Sequence, residues 1–271
     1  MTTPSNPTNP SILASLRSSS AGMAFAVATV LAAVSGSAQA GRIVVNHDEW
    51  TWSDFGFSNA GSTNAATFAQ NVVKFLDTDG TAGGNVLVYS NNFGFGGSFV
   101  SALGAVGYTA TVNTAAAFTL ANLLTYDAVY LAGGAFAKDD AILSDYVNAG
   151  GGVFIAGGTG ASGPAAEAAL WNGFLGGFGL ALDGSAYNGI SGNIAVTGSH
   201  PILAGVAQLY YNNGNTVIDL GTNASASIVE GNGLIGVYDN VGAVPEPETY
   251  ALMLAGLGAL GFVARRRRKA A

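Results

Sequence analysis

The chain has no cysteine. Disulfides, thiolate metal sites and thiol nucleophiles are therefore excluded, whatever compartment it occupies. Histidine is nearly as scarce. His47 and His200 are the only two, too few for an all-histidine metal site. Cations are few and unevenly placed. Of nine Lys and Arg, Arg17 and the five residues Arg265–Lys269 lie in terminal segments, leaving Arg42, Lys74 and Lys138. Of sixteen Asp and Glu, Glu246 and Glu248 lie in the same tail, leaving 14. Residues 41–244 thus carry a net charge near −11 (3 − 14), against −7 for the whole chain. That balance argues against DNA or RNA as partners, because binding them depends on Lys and Arg neutralising phosphates. It suits solubility, divalent cations or a cationic matrix component. Long apolar runs are missing too. The uncharged apolar stretches Ala21–Val34 and Ala251–Ala264 have 14 residues each. As helices they reach about 20 Å, short of the ~30 Å hydrocarbon core of a bilayer.

What flanks those two stretches is informative. Pro245-Glu246-Pro247-Glu248-Thr249-Tyr250 precedes the second, and Arg265-Arg266-Arg267-Arg268-Lys269 follows it. Proline sets extended or turn backbone before the apolar segment, and the Arg cluster holds its far end in the cytoplasm by the positive-inside bias. This tripartite tail resembles the PEP-CTERM sorting signal of Gram-negative bacteria. The resemblance implies recognition by an exosortase, removal of the tail after a membrane-anchored stage, and release or transfer to the cell surface or its polysaccharide matrix. At the other end, Ser35-Gly36-Ser37-Ala38-Gln39-Ala40 follows the first stretch. The small-x-small pair Ala38 and Ala40 is a signal-peptidase pattern, with cleavage expected before Gly41. The organisation expected is a signal peptide over 1–40, an exported domain over 41–244 and a sorting tail with a short transmembrane helix over 245–271.

The central part is rich in glycine, with 40 in the chain, yet its apolar residues recur in periodic blocks. Ile43–Val45, Val86–Tyr89, Tyr108–Val112, Ala128–Ala132 and Val153–Ala156 are continuous apolar runs of strand length. Helical stripes separate them: Ala65–Leu76, Ser98–Val106, Leu120–Leu124, Asp139–Asn148 and Ala165–Phe174. The alternation predicts an α/β domain whose parallel sheet is covered on both faces. Beyond Gly176, short runs at Ile194–Val196, Gln208–Tyr211, Val217–Ile218, Ser227–Val229 and Leu234–Tyr238 predict extra strands without intervening helices, extending the core in antiparallel fashion.

Within that region, Tyr126-Asp127-Ala128-Val129-Tyr130-Leu131-Ala132-Gly133-Gly134, then Asp145 to Gly158, is similar to the core of class I glutamine-amidotransferase-like domains, which are flavodoxin-like. Ser199-His200-Pro201-Ile202-Leu203-Ala204-Gly205-Val206 is similar to an element of the trehalose-utilisation-type branch. The likeness spans about 120 residues, Val86 to Val206. In catalytic members a tight turn after a strand presents a cysteine. The corresponding turns here, at Gly133-Gly134 and Gly157–Gly160, have none, so the fold is expected without the activity.

Other motifs are weaker. Asn92–Ser98 is a Gly-rich strand-to-helix turn without a phosphate-binding lysine, and is read as a tight turn. Asp77-Thr78-Asp79-Gly80 opens like a calcium loop, but its twelfth position is Val88, and a solvated turn is the expectation. His47-Asp48-Glu49-Trp50, followed by Trp52, Asp54 and Phe55, is the densest polar-aromatic cluster. Together with His200 it is a candidate ligand cleft, since carboxylates accept sugar hydroxyls and aromatic faces stack on sugar rings. The alternative is a structural edge segment with a buried Trp. Adjacent Asp48 and Glu49 would point to opposite faces of a strand and could not form a facing acid/base pair. No catalytic constellation, metal site or cofactor is assigned. The expected role is a non-enzymatic structural or binding component of the extracellular polysaccharide matrix, with signal peptidase and exosortase as processing partners. The rival is a carbohydrate-active or other hydrolase using Asp48, Glu49 and His200. A third reading is cation binding by the acidic surface.

Overall fold

The computed structural model describes residues 41–79, 83–133, 138–159 and 162–240, and Gly256. The signal segment with Ala38 and Ala40, and the sorting residues Pro245, Glu246, Pro247 and Arg265–Arg268, lie outside them.

The chain alternates strand and helix as its periodicity predicts. In order come β1 (Arg42–Asn46), α1 (Asp54–Ala60), α2 (Ser62–Leu76), β2 (Gly84–Val88), α3 (Gly97–Gly104), β3 (Tyr108–Val112), α4 (Leu120–Leu123), β4 (Ala128–Ala132), α5 (Asp140–Asn148), β5 (Gly152–Ala156) and α6 (Pro164–Leu175). Six strands follow: β6 (Leu180–Tyr187), β7 (Ser191–Ala195), β8 (Gln208–Asn212), β9 (Asn215–Asp219), β10 (Ala226–Glu230) and β11 (Ile235–Asp239).

Local chemistry sets the helix ends. Asp139 caps α5 by accepting hydrogen bonds from the N–H groups of Ala141 (2.8 Å) and Ile142 (3.2 Å). The Gly150–Gly152 run then lets the chain turn into β5. Pro164 opens α6, where its missing N–H costs nothing. Ser53 caps α1 through the Gly56 N–H at 2.9 Å.

Seven strands form one sheet in the order β10-β11-β1-β5-β4-β2-β3. β3, β2, β4, β5 and β1 run parallel, while β11 joins β1 and β10 joins β11 in antiparallel pairing. Each central strand alternates faces and is buried on both. Val44, Tyr130 and Phe154 point to one side, against Phe68 and Val72 of α2 and Phe99 of α3. Ile43, Val129, Val153 and Ile155 point to the other, against Tyr146 of α5 and Trp171 and Phe174 of α6. Trp52, 2% exposed, is the hub of the first layer, with Phe154, Phe99 and Phe68 ring centroids 4.3, 4.9 and 5.1 Å away.

The expected antiparallel extension is present as β10 and β11. The other late strands pair among themselves as two ribbons, β6 with β9 and β7 with β8. Two elements were illegible in the sequence. The segment 46–59, read only as polar and aromatic, folds into a 3-10 turn at Trp50–Trp52 and the helix α1. β6 carries no strand signal in the sequence, because Asp183, Gly184 and Ser185 follow its short apolar start.

Truncating Trp52→Ala removes the hub and is expected to lower unfolding free energy by about 3–5 kcal/mol in urea titrations. The exposed Phe55→Ala is expected to stay within about 0.5 kcal/mol of the parent.

Candidate functional site

In open parallel sheets ligands bind outside the carboxyl ends of the strands. The segment Asn46–Trp50 leaves β1 at that edge. His47 follows directly and is fully buried. Its main-chain N–H donates to Leu234 O (2.9 Å), its Nδ1 lies 3.2 Å from Asn188 Nδ2, and its ring lies 4.7 Å from that of Tyr211. Burial holds its imidazole down to a pKa of about 3. The turn between β8 and β9 rests on this backbone. A Cβ on Gly214 would sit 1.8 Å from the His47 carbonyl oxygen, so only glycine permits the approach.

Asp48 also points inward. Its Oδ1 accepts the Trp50 N–H (2.6 Å) and its Oδ2 the Asn212 N–H, tying β8 to the end of β1. Burial raises its carboxyl to about 6, against the pull of those two N–H groups. Glu49, 6% exposed, accepts a hydrogen bond from Asn92 Nδ2 in the loop after β2. Burial pushes it up to about 7, opposed by the Asn92 bond and reinforced by the Asp48 and Glu167 charges. A Cβ on Gly94 would come within 2.4 Å of the Glu49 carbonyl oxygen, so the β2 loop, too, packs on glycine. Glu167, on α6, accepts from Thr159 Oγ1 and from Trp171 Nε1 (3.2 Å). Its pKa is likewise raised, chiefly by burial. Glu167 stands in an Ala-rich helix, where no local pattern sets it apart.

The five-residue cleft expected from the sequence does not form. His200 stands beyond the opposite end of β1, edge-on to Phe75 at 5.2 Å, and caps the Pro201–Leu203 turn by accepting the Ile202 N–H (3.4 Å). Arg42, which opens β1, bonds both Phe75 O and Asp239 there, and β1 puts roughly 13 Å between its two ends. His47 and Asp48 are interior. At the carboxyl end of β1, Trp50 is the one of these residues that reaches the surface, while the half-buried His200 does so only at the far end.

That surface is aromatic. Trp50 meets Phe93 at 4.8 Å and Phe55 at 5.7 Å, both edge-to-face, and Phe55 meets Tyr210 at 5.2 Å. Phe55 and Phe93 are 51% and 49% exposed. Asn92 positions Phe93: its Oδ1 accepts the Gly94 N–H (2.7 Å), and its own N–H donates to Ser90 Oγ (3.0 Å). Phe93 lies in the Gly-rich turn already noted in the sequence, but nothing in the sequence joins it to Trp50.

Two other motifs resolve differently. The Asn92–Ser98 turn is a tight turn, as expected, and the amino end of α3 is already occupied by the Asp54 carboxylate, which accepts the Ser98 N–H (2.8 Å). The Ser98 hydroxyl, together with that N–H, holds Asp54 below the usual carboxylate range. Of the turn expected to be solvated, Asp79 is exposed but Asp77 is not, and Gly80 lies outside the described residues. Asp77 is buried and accepts from Tyr108 OH (2.6 Å), and its carboxylate oxygen lies within 4.8 Å of those of Asp79 and Asp127. Hard-cation chemistry suits such oxygens, but Asp77 and Asp127, which accepts the Asn85 N–H (2.6 Å), cap backbone or side chain. An open groove of about 840 Å³ between α1, α2 and α3 is lined by Asp54, Thr63, Thr67, Gln70, Ser98 and Ser101 among others. Asp54 is the one charged residue in that lining.

Against known families, residues 243–268 match the PEP-CTERM protein-sorting motif. No curated protein and no solved structure matches. The motif marks an exported protein that an exosortase processes from a membrane-anchored precursor. Among the described residues, no helix is long and apolar enough to cross a membrane.

The buried ionisable row makes stability depend on pH. Folded Asp48 and Glu49 keep protons up to about 6 and 7, whereas the unfolded chain releases them near 3.8 and 4.5, so stability falls as pH rises through that window. His47 opposes this, because the unfolded chain protonates near 6.5 and the folded one near 3. Two acids outweigh one histidine. The melting temperature is expected to be higher at pH 5 than at pH 8, with Glu49→Gln flattening the difference in a calorimetric pH series.

Proposed function

We propose that this chain is delivered to the cell surface or the extracellular polysaccharide matrix and acts there as a binding or structural component, not as an enzyme. The observation that carries the reading is the sorting motif at residues 243–268. Signal peptidase removes residues 1–40 between Ala40 and Gly41, and an exosortase removes the tail beginning near Pro245. The domain left between them is acidic, which suits an exported partner of neutral or cationic polymer and not of nucleic acid.

The fold is read as amidotransferase-like within the flavodoxin-like class. Strands β2 to β5 lie in the order 3-2-4-5, which is the 2-1-3-4 part of that class, and β1 takes the fifth place. The loss of catalysis rests on chemistry. There is no cysteine, and the carboxylates at the strand ends bond to the protein itself: Asp48 to Trp50 and Asn212, Glu49 to Asn92, Glu167 to Thr159 and Trp171. The rival hydrolase reading needs His200 beside Asp48 and Glu49, and His200 lies against Phe75 at the far end of β1.

Deleting residues 245–271 is expected to remove the protein from the surface or matrix fraction in immunoblots of fractionated cells. Unchanged surface placement would sink the sorting reading. Intact mass of the native protein is expected to begin at Gly41 and to lack Arg265–Lys269.

A further inference from the structure

Phe55 and Phe93 leave an aromatic face open to solvent beside the carboxyl end of β1. The carboxylates of the β1 end are satisfied internally, Asp77 and Asp127 beside Asp79 accept from Tyr108 OH and the Asn85 N–H, and the helix groove has one charge and no buried free polar group among its lining residues. The rings of Phe93, Trp50, Phe55 and Tyr210 follow one another in contact, in steps of 4.8, 5.7 and 5.2 Å. They come from four separate elements: the loop after β2, the 3-10 turn after β1, the first turn of α1, and β8. Holding two phenylalanines half-exposed at one place is costly in water and marks an interaction surface.

We infer that this row is a binding platform for a polysaccharide built of neutral or amino sugars, with pyranose rings lying against Trp50, Phe55, Phe93 and Tyr210. The inference rests on the matrix reading above and gives it a site. Sugar rings are amphipathic, with C–H faces that pack on aromatic rings and hydroxyls that need hydrogen-bonding groups at the edge. The rim supplies those groups. Asn92 flanks Phe93, and Asn59, one turn along α1 from Phe55, bonds back to its carbonyl (2.9 Å). Asn193 lies opposite Tyr210 in the β7–β8 pair and bonds Asn59 O (2.8 Å). Side-chain amides both donate and accept, as sugar hydroxyls do. Four rings in succession offer a face to more than one sugar, which favours a polymer over a single small ligand.

Charge chooses among polymers. The nearest ionisable groups in the sequence, Glu49 and Asp54, are acidic. Arg42 is tied to Asp239 at the far end of β1, Lys138 to Asp140, and Lys74 lies in the last turn of α2. A polyuronate or other anionic chain would meet repulsion with no compensating cation, within a domain carrying near −11.

The test uses the full chain held in a polyoxyethylene detergent, which has no sugar headgroup, and measures binding of a neutral β-linked glucose oligomer, its glucosamine counterpart and an oligouronate. The first two are expected to bind and the third not. Phe93→Ala and Phe55→Ala, both peripheral, are each expected to weaken binding about tenfold or more, with circular dichroism and melting temperature unchanged. Uronate binding that Phe93→Ala weakens, or no loss of glycan binding in either variant, overturns the platform. So does Phe93-dependent binding to phospholipid vesicles without glycan binding, which would make the patch a membrane contact. Absence of glycan binding in a protein whose tail deletion still mislocalises it overturns the platform and leaves the export reading standing.

Discussion

Three consecutive ionisable residues, His47, Asp48 and Glu49, are buried at the end of the strand that joins the parallel and antiparallel halves of the sheet. Burying such groups without partners costs several kcal/mol each, and this constraint organises the molecule around them. Asn188 reaches His47, the Asn212 N–H reaches Asp48, and Asn92 reaches Glu49. The partners come from the loop after β2, the loop after β6 and the end of β8, so three separate parts of the chain converge on the end of β1. The late strands, which have no helices to fix them, are anchored to the α/β core through this point.

The same closure determines what faces outward. With the carboxylates turned in and the glycines at 94 and 214 allowing backbone to lie directly on backbone, the loops have little room left for side chains inside. Trp52 goes into the aromatic hub beneath the sheet, while Trp50, two residues earlier, is left half-buried beside Phe55 and Phe93. The usual polarity of a strand-end site is therefore inverted: acids form its floor and aromatic rings its surface.

The pattern along the chain made much of the fold legible. β3 and β4 fall where their apolar runs predict, and α2 carries Phe68, Ala69, Val72, Val73 and Leu76 on its buried stripe, because strand and helix periods are local properties. The expectation failed where burial is decided by distant residues. Asp48 and Glu49 look like exposed ligand-binding acids in sequence, since acids are seldom interior. His200 looked like their companion through a resemblance that covers another stretch of chain. Nothing local reports that Asn212 and Asn92 arrive to satisfy the first two, or that β1 holds the third at its opposite end.

Sequence alone determined the export logic, the absence of thiol chemistry, the acidic balance and the alternation of strand with helix, since each follows from composition or from spacing within a few residues. Tertiary structure alone decided which polar residues are interior and which aromatics meet at the surface. Phe93, Trp50, Phe55 and Tyr210 are spread over more than a hundred positions, and their contact depends on strand order and loop closure. Those are set by the free energy of the whole packed domain, which no short window of residues contains.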